Sequence, residues 1–242
     1  MTARIEVGVA EAQVDAALAT VIDPELDEPI TDLGFVRSRQ VHGADVDVHL
    51  RLPTSFCAPN FAYLMASDAQ DALRAVPGVG RVQVYLDDHH DSDKINRGLA
   101  AMAGYVGTFG DEAEDSLDEL RLIFQRKAHV AAMERACSKL LVESDLEVGD
   151  LHTVTLADLR EGKEKAALIH RRADIGLDIT PGSLVMVDDE GHPVPEDAVP
   201  IKLRFAKTVR ISIDGNAHFC RGLLRTRYPD SGEDQTPRTH DS

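Results

Sequence analysis

The residues of this chain that could do chemistry are three cysteines, ten histidines and an excess of carboxylates. Cys57 lies in "PTSFCAPN", residues 53–60, between a stretch that reads as a strand and one that reads as a helix. Pro59 and Asn60 signal the helix start, and the first helical turn leaves backbone N–H groups unpaired, whose partial positive charge favours a thiolate. A thiolate, rather than a thiol, binds a metal or attacks an electrophile. Thr54 and Ser55 stand close enough in sequence to donate hydrogen bonds to it. The residues alone leave Cys57 as metal ligand, packed loop thiol or nucleophile.

Cys220 sits in "NAHFCRGLL". Read as a strand, this segment puts His218 and Cys220 on one face, and an imidazole beside a thiolate suits zinc or iron. Cys57 is the candidate third ligand, provided that a C-terminal sheet folds back over the first domain. His89 and His90, in "DDHHDSD", are flanked by carboxylates and could ligate a divalent cation or mark a solvated turn. Asp23, Glu25, Asp27, Glu28 and Asp32 could form an oxygen-rich metal site or a charged loop. Cys137 shares a helical stripe with Val130, Met133, Leu140 and Leu141, where a free cysteine behaves as a small buried hydrophobe.

The elements that must position these groups follow from periodicity. Val14, Ala17, Leu18, Val21 and Ile22 recur at helical spacing, and the "DP" pair at 23–24 ends the pattern. Residues 35–41 form a strand, Gly43 marks a turn, and "ADVDVHLRL" alternates Val46, Val48, Leu50 and Leu52 against Asp45, Asp47, His49 and Arg51. A helix over roughly 60–75 presents Phe61, Leu64, Met65, Ala69 and Leu73, and "RVQVYL" is a further strand with Val82, Val84 and Leu86 inward. The order α-β-β-α-β predicts a small sheet with helices on one face, an α+β fold. A helix starts near Ser92, and the acidic "GDEAEDSLDE", 110–119, reads as a boundary or a solvated helix start. From 183 onward "SLVMV", "PIKLRFA" and "TVRISI" predict a β-rich region. The expected domains are 1–110, an extension over 111–228, and a polar, disordered tail over 229–242.

Composition narrows the function classes. Asp plus Glu outnumber Lys plus Arg by 42 to 26, a formal charge of −16, which repels nucleic acid and anionic membranes. No stretch has the apolar length of a membrane span and no secretion signal is visible, so the expected setting is cytoplasmic, with three thiols too few and odd for a disulfide framework. The sequence contains no P-loop, G-x-G-x-x-G, H-E-x-x-H, G-x-S-x-G or C-x-x-C, which argues against the chemistries those motifs support.

Taken together, "VIDPELDEPITDLGFV", the alternating strand, "LPTSFCAPN" and "VPGVGRVQVYL" resemble the small α+β domain of iron–sulfur cluster assembly factors of the SufT and PaaD type, over roughly residues 10–100. The resemblance implies that Cys57 is the functional thiol and Thr54 its loop companion, that Asp23 and Glu25 are the D-P-E acids, and that Gly34 is the glycine of the "DLG" turn. It departs from the family pattern where Ala58 separates Cys57 from Pro59 and where "DDHHDSD" replaces a proline–tryptophan segment. It implies a non-enzymatic metallocentre assembly factor that handles iron or an iron–sulfur cluster, with zinc as the alternative ion. Its partners would be a client apoprotein or cluster carrier, PaaD-type members being associated with multicomponent di-iron oxygenases and their reductases, and the reading allows a homodimer. Competing readings are an interaction module with structural thiols and a cysteine-nucleophile enzyme.

Overall fold

The computed structural model describes residues 9–113 and 117–229. The tail expected to be disordered lies, from residue 230, outside the described residues, as do residues 114–116 of the acidic segment. The protein is mixed α and β, as the sequence predicts, and divides into two units. One runs to Leu117 and resumes at Asn216; the other is Asp118–Gly215.

The first unit opens with helix α1 (Glu11–Leu18), which buries Val14 and Leu18. The helical pattern stops short of Val21 and Ile22, because the chain turns there into a two-residue strand β1 (Ile22–Asp23) paired with β2 (Glu28–Pro29). The Asp23 side chain caps that hairpin by accepting the N–H groups of Glu25 and Leu26 at 2.9 and 2.8 Å. Gly34, at φ +76°, then takes the left-handed conformation that a residue with a Cβ resists, and delivers the chain into β3.

Strand β3 (Val36–His42) pairs antiparallel with β4 (Asp45–Arg51), and β4 pairs parallel with β5 (Val82–Asp87), in the order β3-β4-β5. The alternation of β4 is realised: Val46, Val48 and Leu50 are buried, while Asp47 and His49 face the polar side. Burying each such side chain is worth about 1.5–3 kcal/mol. On the polar side His49 Nδ1 lies 3.0 Å from Asp87, and its ring stacks on Tyr85 at 4.8 Å. β3 is mostly exposed and carries Arg37 and Arg39, charges that discourage edge-to-edge pairing.

The β4–β5 crossover is helix α2 (Pro59–Arg74). Proline at its first position lacks the N–H that would go unpaired there, and Leu64, Met65, Ala69 and Leu73 form the buried stripe. Helices α3 (Ser92–Ala100) and α4 (Gly104–Phe109) complete the N-terminal part, Tyr63, Tyr105 and Phe109 meeting as an aromatic cluster with centroids 5.0–5.9 Å apart.

The second unit is built on α5 (Leu117–Glu143) and α6 (Lys163–Asp174), with the start of α7 (Val199–Arg227). Val130, Met133, Cys137 and Leu140 form the buried stripe of α5. Arg172 is 1% exposed, and its guanidinium donates to the carbonyls of Asp178, Leu184 and Val185.

The expected β-rich C-terminal region is corrected here. Residues 183–187 contribute only isolated bridges, Thr155 to Leu184 and Val187 to Pro193, and "PIKLRFAKTVRISI" lies within the single helix α7. Its buried residues Ala206, Ile213, Ala217 and Leu224 recur at spacings of seven, four and seven, a helical seam that outweighs the β-propensity of its Val and Ile. Among the described residues no helix is long and apolar enough to cross a membrane.

Candidate metal centre

In the first unit the loop between β4 and α2 presents Cys57 half-buried, two residues ahead of the first residue of α2. Thr54 steadies it: its hydroxyl accepts the Phe56 N–H at 3.2 Å, and the same hydroxyl lies 3.5 Å from the Cys57 sulfur, to which it can donate. A second grip comes from the turn after β5. His89 is 7% exposed, its Nδ1 accepts the Asp91 N–H at 3.1 Å, and this places the ring proton on Nε2, which donates to the Cys57 carbonyl at 2.8 Å. The His90 N–H donates to the Ser55 carbonyl at 2.9 Å. Between these holds Phe56 stands out from the surface, 80% exposed.

Cys220 comes to this region from the far end of the chain. It is half-buried on α7 and packs against the same apolar cluster as Cys57. Burial pushes its thiol up to about 11, and the charges of Cys57, Asp23 and Glu25 push in the same direction while Arg221 opposes them. Asp23, 6% exposed, is raised to about 6 by burial, against the two backbone N–H groups it accepts. Cys57, Asp23 and Glu25 thus all act on the Cys220 thiol in the direction that keeps it protonated. The arrangement is open. Among the described residues the one group of three His, Cys, Asp or Glu donors within 4.8 Å of one another is Asp188, Glu190 and His192. That trio closes an exposed turn, with Asp188 accepting the N–H groups of Glu190 and His192 at 2.9 Å.

Two of the histidine expectations, His218 and His89, are corrected. His218 and Cys220 lie on a helix, not a strand, so a separation of two residues turns them about 200° apart, and His218 is exposed away from the thiol. Both His89 nitrogens are engaged in shaping the loop, which leaves no lone pair for a metal. His90 is exposed, and its ring rests 6.0 Å from that of Phe56. Of the other acids, Glu25 accepts from the Asn216 side chain at 3.3 Å and Glu28 pairs with Arg221. Cys137 is fully buried and pushed up to about 12 by burial, the inert thiol its helical stripe predicts.

Sequence reasoning missed the groups that bring α7 here: Asn216, Arg221, Arg227 and Tyr228. The signal that could have found them is the helical recurrence around them. Ile213, Ala217, Cys220 and Leu224 follow i, i+4, i+7 and i+11, which places Cys220 on an apolar helical seam.

Comparison with known proteins bears on the N-terminal segment. A family model described as "Iron-sulfur cluster assembly protein" matches residues 11–84. An iron–sulfur cluster carrier protein of Mycobacterium leprae is 35% identical over 85 residues, 35% of this chain and 22% of the carrier. That of Mycobacterium tuberculosis is 34% identical over 87 residues, 36% of this chain and 23% of the carrier. This chain therefore spans less than a quarter of the length of those carriers. An uncharacterised protein of Methanocaldococcus jannaschii is 32% identical over 92 residues, 38% of this chain and 95% of that protein. No solved structure matches significantly.

Proposed function

Through residues 11–84 the chain belongs to the iron–sulfur cluster assembly protein family, and on that premise we propose that it is a maturation factor that takes iron or an iron–sulfur cluster at Cys57 and passes it to client apoproteins. The observation that supports this reading most is the Cys57 loop itself. Thr54 reaches the half-buried sulfur and His89 holds the Cys57 carbonyl, while Cys57, Asp23 and Glu25 all act electrostatically on the Cys220 thiol. The cargo is a substrate, so the site must release what it binds. One loop thiol with few fixed companions suits exchange better than a closed cage of four ligands, which would hold a structural metal permanently.

In this reading Cys57 is the transfer ligand, Thr54 steadies its sulfur, and Asp23 and Glu25 supply oxygen ligands or the negative field that attracts the cation. His89 positions the loop through the Cys57 carbonyl. The clients are an oxygenase with a di-iron centre or its iron–sulfur reductase, and the setting is the cytoplasm, where thiols stay reduced.

The test is cluster transfer. The full chain is reconstituted anaerobically with iron and sulfide, desalted, and mixed with an apo-ferredoxin-type reductase component whose activity reports cluster arrival. Wild type should activate the acceptor and Cys57→Ser should not. Equal activation by the two would remove Cys57 from the mechanism and leave the chain as a protein-interaction module.

A further inference from the structure

Cys220 lies outside the segment that matches the family, on the stretch of chain that returns to the first unit at Asn216. That stretch is anchored on both sides of the Cys57 site. On one side Asn216 donates to Glu25 at 3.3 Å and Arg221 pairs with Glu28, both in the acidic hairpin around Asp23. On the other side Arg227 donates to the carbonyls of Leu52, at 3.0 Å, and Asp88. Tyr228 donates its hydroxyl to Asp88 at 3.1 Å, and the Arg51 guanidinium lies over the Tyr228 ring at 5.1 Å. Leu52 immediately precedes the cysteine loop, and Asp88 immediately precedes His89, which holds the Cys57 carbonyl. Cys220 lies between Asn216 and Arg221, the two anchors on the acidic hairpin, and half-buried against the apolar cluster that Cys57 also packs on.

We infer that residues 216–228 form a strap that supplies Cys220 as a second thiol ligand, so that iron or a cluster is held between a thiol of the family domain and one of the extension. This rests on the iron-handling reading above and deepens it. The strap is fixed by Ala217 and Leu224, buried in the first unit's core, by Cys220 and Tyr228 packed against that core, and by the polar bonds of Asn216, Arg221 and Arg227. A metal shared by Cys57 and Cys220 on bonds of about 2.3 Å would set the two sulfurs about 4 Å apart.

The experiment uses Co(II) as a probe, titrated anaerobically into the reduced full chain. Thiolate-to-cobalt charge-transfer absorption reads the number of thiolates bound. Cys220→Ser, Cys220→Ala and Cys57→Ser should each keep about half the wild-type intensity at saturation, and the double variant none, since only thiolates give this band. Arg221→Gln keeps both thiols but loses an anchor. It should raise the Co(II) dissociation constant about tenfold, the worth of a charged hydrogen bond, while leaving the saturated intensity unchanged. Full intensity in both Cys220 variants with loss in Cys57→Ser, or an unchanged constant in Arg221→Gln, overturns the strap and leaves the Cys57 reading standing. No charge-transfer band in the wild type overturns both.

Discussion

At Asp23 a carboxylate is placed where ionisation is costly, and the consequence can be measured. Its folded value of about 6 stands above the ordinary 3.8, because burial outweighs the two N–H groups it accepts. The folded state therefore holds the proton over a pH range in which the unfolded chain has already lost it. The stability this confers is present below about pH 4 and is lost as pH rises through about 6, up to about 3 kcal/mol in all. Asp23→Asn keeps an oxygen for the Glu25 and Leu26 N–H groups but cannot ionise. Its stability relative to wild type should rise by that amount between pH 4 and 7 in urea unfolding, and a difference independent of pH would refute the assignment. His89→Leu removes the donor to the Cys57 carbonyl and should cost about 1–3 kcal/mol by the same measurement, with faster alkylation of Cys57 as the loop loosens. Cys57, Asp23 and Glu25 are legible in the sequence because their contexts are local: a loop before a proline-led helix and an acidic turn. His89 is legible only as a histidine beside carboxylates. Its bond to the Cys57 carbonyl spans 32 residues, and no local pattern encodes such a partner.

At the scale of elements, the sheet and α2 can be read from period alone, since β4 alternates cleanly and α2 repeats every three to four residues. Helix α7 cannot be read by the same means. "TVRISI" alternates as a strand does, and the seam that makes it helical is only one residue wide per turn, so its identity depends on what Ala217 and Leu224 pack against. Leu224→Ala tests that packing. It should cost about 2–4 kcal/mol of first-unit stability through the cavity it leaves, and a loss below about 1 kcal/mol would mean that the helix end does not bear on that core. Helix α5 carries a group of the opposite kind. His129 is fully buried, neither ring nitrogen has a partner, and burial, with the charges of Arg172 and Lys202, lowers it from 6.5 to about 4. Here the unfolded chain binds the proton first. Stability is complete above about pH 6.5 and is lost as pH falls toward about 4, by up to about 3 kcal/mol. His129→Phe should abolish that part of the acid sensitivity of the second unit, followed by helical circular dichroism; an unchanged acid midpoint would contradict it.

Over the whole molecule, the segment that the family model matches shares its core with Ala217 and Leu224, residues that lie outside that match. Every tyrosine, at 63, 85, 105 and 228, belongs to the first unit, so tyrosine fluorescence follows that unit alone. Deleting residues from 216 onward should lower its unfolding midpoint, because Ala217 and Leu224 leave its core. An unchanged midpoint would show that residues 9–113 are sufficient. The mixed α and β class is evident from the sequence, whereas the interrupted first unit is not, since a chain's return after a long insertion leaves no periodic trace. The central claim, that Cys57 holds the cargo, is tested most directly by iron content. Wild type and Cys57→Ala are reconstituted anaerobically with iron and sulfide, desalted, and assayed for bound iron and acid-labile sulfide. Iron and sulfide retained by the wild type and lost from the variant are the predicted result; equal amounts in both would contradict the account.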